Sequence, residues 1–189
     1  MKSISIKGTK REVVGKKDAK KLRLQGLVPG VLYGGDEPIH FYAPEKEFKP
    51  LIYTPNVYLV DLDIDGTIHQ SIIQASQFHP VREQLLHVDF LRISGDKMVK
   101  VEIPVKVEGF AKGIRSGGKL KVNLRTLKVK AMVKYLPDYI TINVDDLDIG
   151  QSYKVGSLQR DNIEFLNAKA VPVITIMITR AAKAAQGKG

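Results

Sequence analysis

The chain contains no cysteine, which excludes disulfides, thiolate nucleophiles and cysteine-based zinc sites. It also lacks any apolar run near the roughly 20 residues that a membrane span needs. The opening Met-Lys-Ser-Ile-Ser-Ile-Lys-Gly alternates where a secretory leader would have an unbroken apolar core, so a cytoplasmic protein is expected. No internal repeat is visible, and the two halves share strand-like content but no sequence. Acids are scarce in one place above all. The first 23 residues hold nine Lys or Arg (Lys2, Lys7, Lys10, Arg11, Lys16, Lys17, Lys20, Lys21, Arg23) against Glu12 and Asp18.

What is present fits a folded protein with an anionic partner. With 189 residues and 43% hydrophobic content the chain can bury one large core or two modest ones. A net charge of +10 favours nucleic acid or an anionic surface as partner, the bland alternative being a solvated basic face. Val, Ile and Thr alternate with period two in about ten segments bounded by Gly, Pro or Asp, so the fold class is expected to be mainly β. In the first half these strands are expected at 3–7, 28–33, 39–42, 57–64, 68–75 and 87–93. Asp65-Gly66 joins two of them as a type I′ hairpin, because that pair accepts the positive φ angles the turn demands. Further strands are expected at 98–108, 120–133, 139–144 and 171–179. A domain boundary is placed in the polar stretch Ser94-Gly95-Asp96-Lys97, giving units 1–93 and 94–180 and a disordered basic tail at 181–189.

Two segments read as helix. The first runs from Asp18, as N-cap, to Gln25, with Gly26 as the residue past its end; Leu22 turns to the core while Lys17, Lys20, Lys21 and Arg23 face outward. The second, 45–52 after Pro44, has Phe48 and Leu51 as its inner face.

Three apparent motifs fail on their own terms. Asp61-Leu-Asp63-Ile-Asp65-Gly66 imitates the start of a calcium-binding loop, but Ile72 stands where the bidentate Glu is required. Residues 113–119 brush against a phosphate-binding loop, but Leu120 follows Lys119 where Ser or Thr is needed, and Gly117-Gly118 reads as a flexible loop. His40, His69, His79 and His87 form no short-spaced pair, so no metal or other cofactor is expected. His87 and Asp89 share a strand face and could act as acid and base in an RNA-processing or RNA-modifying enzyme, but no nucleophile accompanies them.

The basic elements remain. A cationic helix supplies salt-sensitive phosphate contacts that do not choose a site. Choice requires groups that read base edges or 2′-hydroxyls, and on a β surface the candidates are Tyr33, Gln74, Gln77, His79, His87 and Asp89. A second basic run, Lys112, Arg115, Lys119, Lys121, Arg125, Lys128, Lys130 and Lys134, contains no acid. It either holds further RNA or is a solvated face balanced by Asp138, Asp145, Asp146 and Asp148.

Several of these residues occur in a familiar order. Gly15-Lys16, Lys20-Lys21-Leu22-Arg23, Val28-Pro29-Gly30-Val31-Leu32-Tyr33-Gly34-Gly35, Gln77-Phe78-His79-Pro80 and Leu86-His87-Val88-Asp89-Phe90-Leu91-Arg92 resemble the bacterial large-subunit ribosomal proteins, number twenty-five, that bind 5S rRNA. Leu127-Lys128-Val129-Lys130, Leu136-Pro137-Asp138-Tyr139-Ile140 and Leu147-Asp148-Ile149-Gly150-Gln151-Ser152 resemble the extra domain of the long Ctc, or general stress protein, form. The resemblance covers about residues 3–180. It implies an N-terminal antiparallel β-barrel with two short helices, related to the anticodon-binding domains of glutaminyl-tRNA synthetase, and a second β-rich, sandwich-like domain. It also implies a structural role in the ribosome without catalysis. The implied partners are 5S rRNA, bound at its irregular internal loop, and other large-subunit components, with no membrane and no small-molecule substrate, and a monomer off the ribosome. Carried across, Arg11, Lys16, Lys20, Lys21 and Arg23 look like phosphate and base-edge contacts, and Tyr33, Gln74, Gln77, His87 and Asp89 like the groove-reading set. Two departures stand out. Phe78 occupies the place of the family's usual Arg, and Lys20-Lys21 that of Arg-Arg, which loses the guanidinium's bidentate fork.

Overall fold

The computed structural model describes residues 2–94 and 97–179; the tail expected at 181–189 lies outside the described residues. The chain divides between Met98 and Val99 into two compact units.

The first unit is a closed barrel. Its strands are β1 (Ser3–Lys10), β2 (Leu27–Tyr33), β3 (Ile39–Pro44), β4 (Leu59–Ile64), β5 (Thr67–Phe78) and β6 (Leu85–Arg92), arranged β1-β3-β2-β6-β5-β4. The expected barrel is therefore present, but two of its seams are parallel: β1 with β4 and β2 with β6. Alternation puts Ile6, Val28, Leu32, Phe41, Val60, Leu62, Val88 and Phe90 inside, and α2 (Glu45–Ile52) adds Phe48 and Leu51 from one end. Each fully buried side chain of this size contributes roughly 1.5–3 kcal/mol. Phe41 lies so near β2 that a Cβ on Gly30 would sit 2.8 Å from its ring and 2.9 Å from the Val88 carbonyl; only glycine fits. Between β4 and β5, Asp65 (φ 50°) and Gly66 (φ 90°) make the expected two-residue turn. The Asp61–Asp65 series is strand and turn: Asp63 Oδ1 accepts the Gly66 amide at 2.9 Å and Asp65 Oδ2 the Lys10 amide at 3.0 Å.

The second unit holds two sheets. One has the order β10 (Ile140–Asn143), β7 (Met98–Glu108), β9 (Thr126–Met132), β12 (Ile163–Phe165); the other has β11 (Ser152–Lys154), β13 (Pro172–Met177), β8 (Lys119–Val122). The strand expected at 120–133 is two strands that enter different sheets, broken at Asn123-Leu124-Arg125. Residues 113–119 do not lead into the helix a phosphate-binding loop requires: α3 (Lys112–Arg115) is a single turn and β8 follows. Gly113 is packed so closely that an added Cβ would lie 2.6 Å from the Ile149 amide nitrogen, and Gly118 closes the loop by donating to the Gly113 carbonyl at 2.8 Å.

Candidate nucleic-acid interface

The cationic helix α1 spans Lys16–Leu24 and begins at Gly15, which has no side chain to cap it. Asp18, expected as the N-cap, instead lies in the first turn, where a negative charge suits the helix dipole. Gly26, at φ 74°, ends the helix as expected. At 100° per residue Lys16, Lys17, Lys20 and Lys21 fall within an arc of about 140°, and all four are exposed. A nine-residue helix carrying four lysines on one face has little stability of its own, since it is short and its i,i+4 neighbours repel. Three anchors hold it. Leu22 is buried against the barrel beside β2. Arg11 Nε donates to Asp18 Oδ2 at 2.7 Å and Nη2 to the Gly15 carbonyl at 3.2 Å, with 8% of the Arg11 side chain exposed. Arg23 Nε donates to the Leu86 carbonyl at 2.9 Å.

That last bond depends on an irregularity in the sheet. Gln77 pairs with His87 but Phe78 pairs with Leu85, so Leu86 is the extra residue on β6 and its carbonyl is available to the helix. A second irregularity makes Gln74 the extra residue on β5, between Ile73 opposite Phe90 and Ala75 opposite Asp89.

Three adjacent strands carry the other candidates. β2, β6 and β5 are neighbours in the barrel, and Val31 is in register with Asp89 and Gln77 with His87. Tyr33, His87, Asp89, Gln74 and Gln77 thus gather across three strands, a strip about 10 Å wide. Burial, and next the Asp89 charge, push the Tyr33 hydroxyl above its ordinary pKa. His87 Nδ1 lies 2.6 Å from Asp89 Oδ1, yet it is buried without a hydrogen bond; the distance is short enough, so the angle is what fails. Phe78, at the family's usual arginine position, is 39% exposed.

His79 stands apart from this strip. Its Nδ1 accepts the amides of Val81 and Arg82, both at 3.2 Å, while its backbone amide donates to the Gln84 carbonyl at 2.8 Å. It organises the connection from β5 to β6. Sequence reasoning missed the Leu86 carbonyl, since a backbone acceptor exposed by a bulge leaves no mark in side-chain pattern. Among the described residues no group of three or more His, Asp or Glu is arranged to hold a metal ion.

In the second unit the basic run divides. Lys112 pairs with Asp146 (3.1 Å), Lys128 with Glu102 (3.7 Å) and Lys130 with Glu164 (3.6 Å). Of the acids expected to balance the run, Asp146 pairs with Lys112 and Asp145 feels the charge of Arg115; Glu102 and Glu164 come from other strands. Asp145 is held below its ordinary pKa by the Phe110 amide and then by the Asn143 side chain.

The profile of the Ribosomal L25p family matches residues 6–90, and that of the ribosomal protein TL5 C-terminal domain matches residues 98–180. Relatives named large ribosomal subunit protein bL25 are similar over nearly the whole chain. That of Parabacteroides distasonis is 42% identical over 194 residues, covering 100% of both chains. That of Azobacteroides pseudotrichonymphae is 46% identical over 184 residues, covering 97% of each, and that of Bacteroides fragilis 44% over 190 residues, covering 98% of this chain and 97% of its own. The chain belongs to the ribosomal L25p family. With both profiles matched it is the long, Ctc-type L25p form. L25p proteins are structural constituents of the large subunit of the bacterial cytoplasmic ribosome and are not enzymes. That sets aside His87 and Asp89 as catalytic acid and base.

Proposed function

We propose that this chain binds 5S rRNA at its irregular internal loop and helps to hold it in the large subunit, with residues 1–93 as the RNA-binding domain. The observation that carries the reading is convergence: Tyr33, Gln74, Gln77, His87 and Asp89 come from three adjacent strands to one surface, and the helix bearing Lys16, Lys20 and Lys21 is bonded to the middle strand through Arg23. The lysines attract the phosphate backbone in a salt-dependent manner. The strip supplies a phenol, amides, an imidazole and a carboxylate, which suit the base edges and 2′-hydroxyls of a shallow RNA groove.

Gel-shift titration against 5S rRNA at several salt concentrations tests the two roles separately. Replacing Lys16, Lys20 and Lys21 by alanine is expected to flatten the slope of log K against log salt by about 2 to 3. Tyr33→Ala with His87→Ala is expected to weaken binding at least tenfold and leave the slope unchanged. Undiminished binding by the second variant would overturn the assignment of the strip.

A further inference from the structure

We infer that the outer face of the β11-β13-β8 sheet in the second unit is an additional RNA-binding surface, one that grips a phosphodiester backbone. Register places Lys121 beside Thr175 and Thr175 beside Ser152, with Lys119 beside Met177. Side chains two apart share a face, so Lys119, Lys121, Thr175, Met177 and Ser152 lie on one side, and Leu120, Val122, Ile174 and Ile176 on the other. Asn123 Nδ2 donates to Thr175 Oγ1 at 2.7 Å, and the Ser152 and Thr175 hydroxyls are 3.0 Å apart, which fixes a polar row across the sheet.

The charge of this face is one-sided. None of the three strands contains an acidic residue. Lys119 and Lys121 are exposed and form no ion pair among the described residues, in contrast to Lys112, Lys128 and Lys130. Of the acids that precede β11 in sequence, Asp146 pairs with Lys112, while Asp148, whose Oδ1 accepts the Ile149 amide at 2.7 Å, keeps its charge. Successive outward lysines on a strand stand about 6.8 Å apart, a fixed pair of cations beside neutral hydrogen-bonding groups. β8 is an edge strand, so a polyanion can approach both its lysines and its rim. In a protein of the large subunit, unneutralised charge displayed this way matches RNA better than an acidic peptide, because hydroxyl and amide groups flank the cations as they would flank phosphate and ribose.

The test uses the full chain bound to large subunits that lack it. Retention is measured against salt for Lys119→Ala/Lys121→Ala and, as control, Lys128→Ala/Lys130→Ala. The first pair is expected to flatten the log–log salt slope by roughly 1.4 to 1.8 and the control to leave it unchanged. An unchanged slope for the first pair, or equal losses for both, would overturn the proposal. Because the chain has no cysteine, Met177→Cys gives a unique tether for an iron chelate on the same face. Local cleavage of ribosomal RNA supports the surface. Cleavage confined to a neighbouring protein would overturn it in favour of an acidic protein segment.

Discussion

Arg11 and Asp18 close a ring around the start of the cationic helix: Nε meets Oδ2 at 2.7 Å, and the same guanidinium reaches the Gly15 carbonyl. The pair ties the end of β1 to the first turn of α1, so the lysines that follow are presented at a fixed angle.

Asp18→Asn separates positioning from attraction. It removes a negative charge from a surface proposed to meet RNA, which alone would tighten binding, but it also frees the helix start. The expected outcome is a loss of about 1–2 kcal/mol in stability by urea unfolding and weaker 5S rRNA binding by gel shift. Tighter binding would show that Arg11 does not set the helix.

His69 gives the first unit a pH dependence. Burial, then the nearby Arg92 charge, hold its pKa below the ordinary value of 6.5, and Nδ1 is buried with no partner. The unfolded chain therefore binds the proton first, and stability falls as pH drops below about 6.5. His69→Leu is expected to flatten the urea midpoint between about pH 7 and pH 5, and a slope equal to that of the parent would refute this.

Tyr33 works at the opposite end of the scale. Its pKa is raised by burial and then by Asp89, so the folded chain keeps the phenol proton longer than the unfolded chain does. Its contribution is intact below the ordinary value near 10 and is lost as pH rises through the folded value. In an NMR titration of the Tyr33 ring, Asp89→Asn should lower the midpoint part of the way, since burial is the larger cause. An unmoved midpoint would show that the carboxylate does not reach the phenol.

Gly113→Ala should cost about 1–3 kcal/mol, because the added methyl meets backbone that cannot turn aside. Gly15→Ala is the control: nothing lies within 4 Å of its would-be Cβ, and its φ of 162° is open to any residue. Calorimetry on both variants decides the matter, and equal melting temperatures would refute the packing argument.

Much of the fold was legible in period and punctuation. The helix at Glu45–Ile52, its buried Phe48 and Leu51, the Asp65-Gly66 turn and the strand Met98–Glu108 follow from alternation and turn chemistry. The break inside residues 120–133 was missed, although the sequence carries it as a change of phase: Leu120, Val122 and Leu124 are even-numbered, Leu127, Val129 and Ala131 odd, and the strand ends where parity flips. β11 and β12, three residues each, are too short to show a period. The parallel seams and the bulges at Gln74 and Leu86 depend on which strands meet, and local pattern does not encode that. The gathering of Tyr33 with His87 rests on those seams, which is why the sequence could name the members of the strip but not set them side by side.

The parallel seams also govern the order of events as the chain is made. β1 cannot complete its edge until β4 (Leu59–Ile64) exists, and β2 waits for β6 (Leu85–Arg92). Nearly the whole first unit must therefore leave the synthesising ribosome before its barrel can shut, since contacts this distant in sequence form late. Until then the basic amino end is an unshaped run of positive charge, and closure of β1 against β4 fixes where those charges stand.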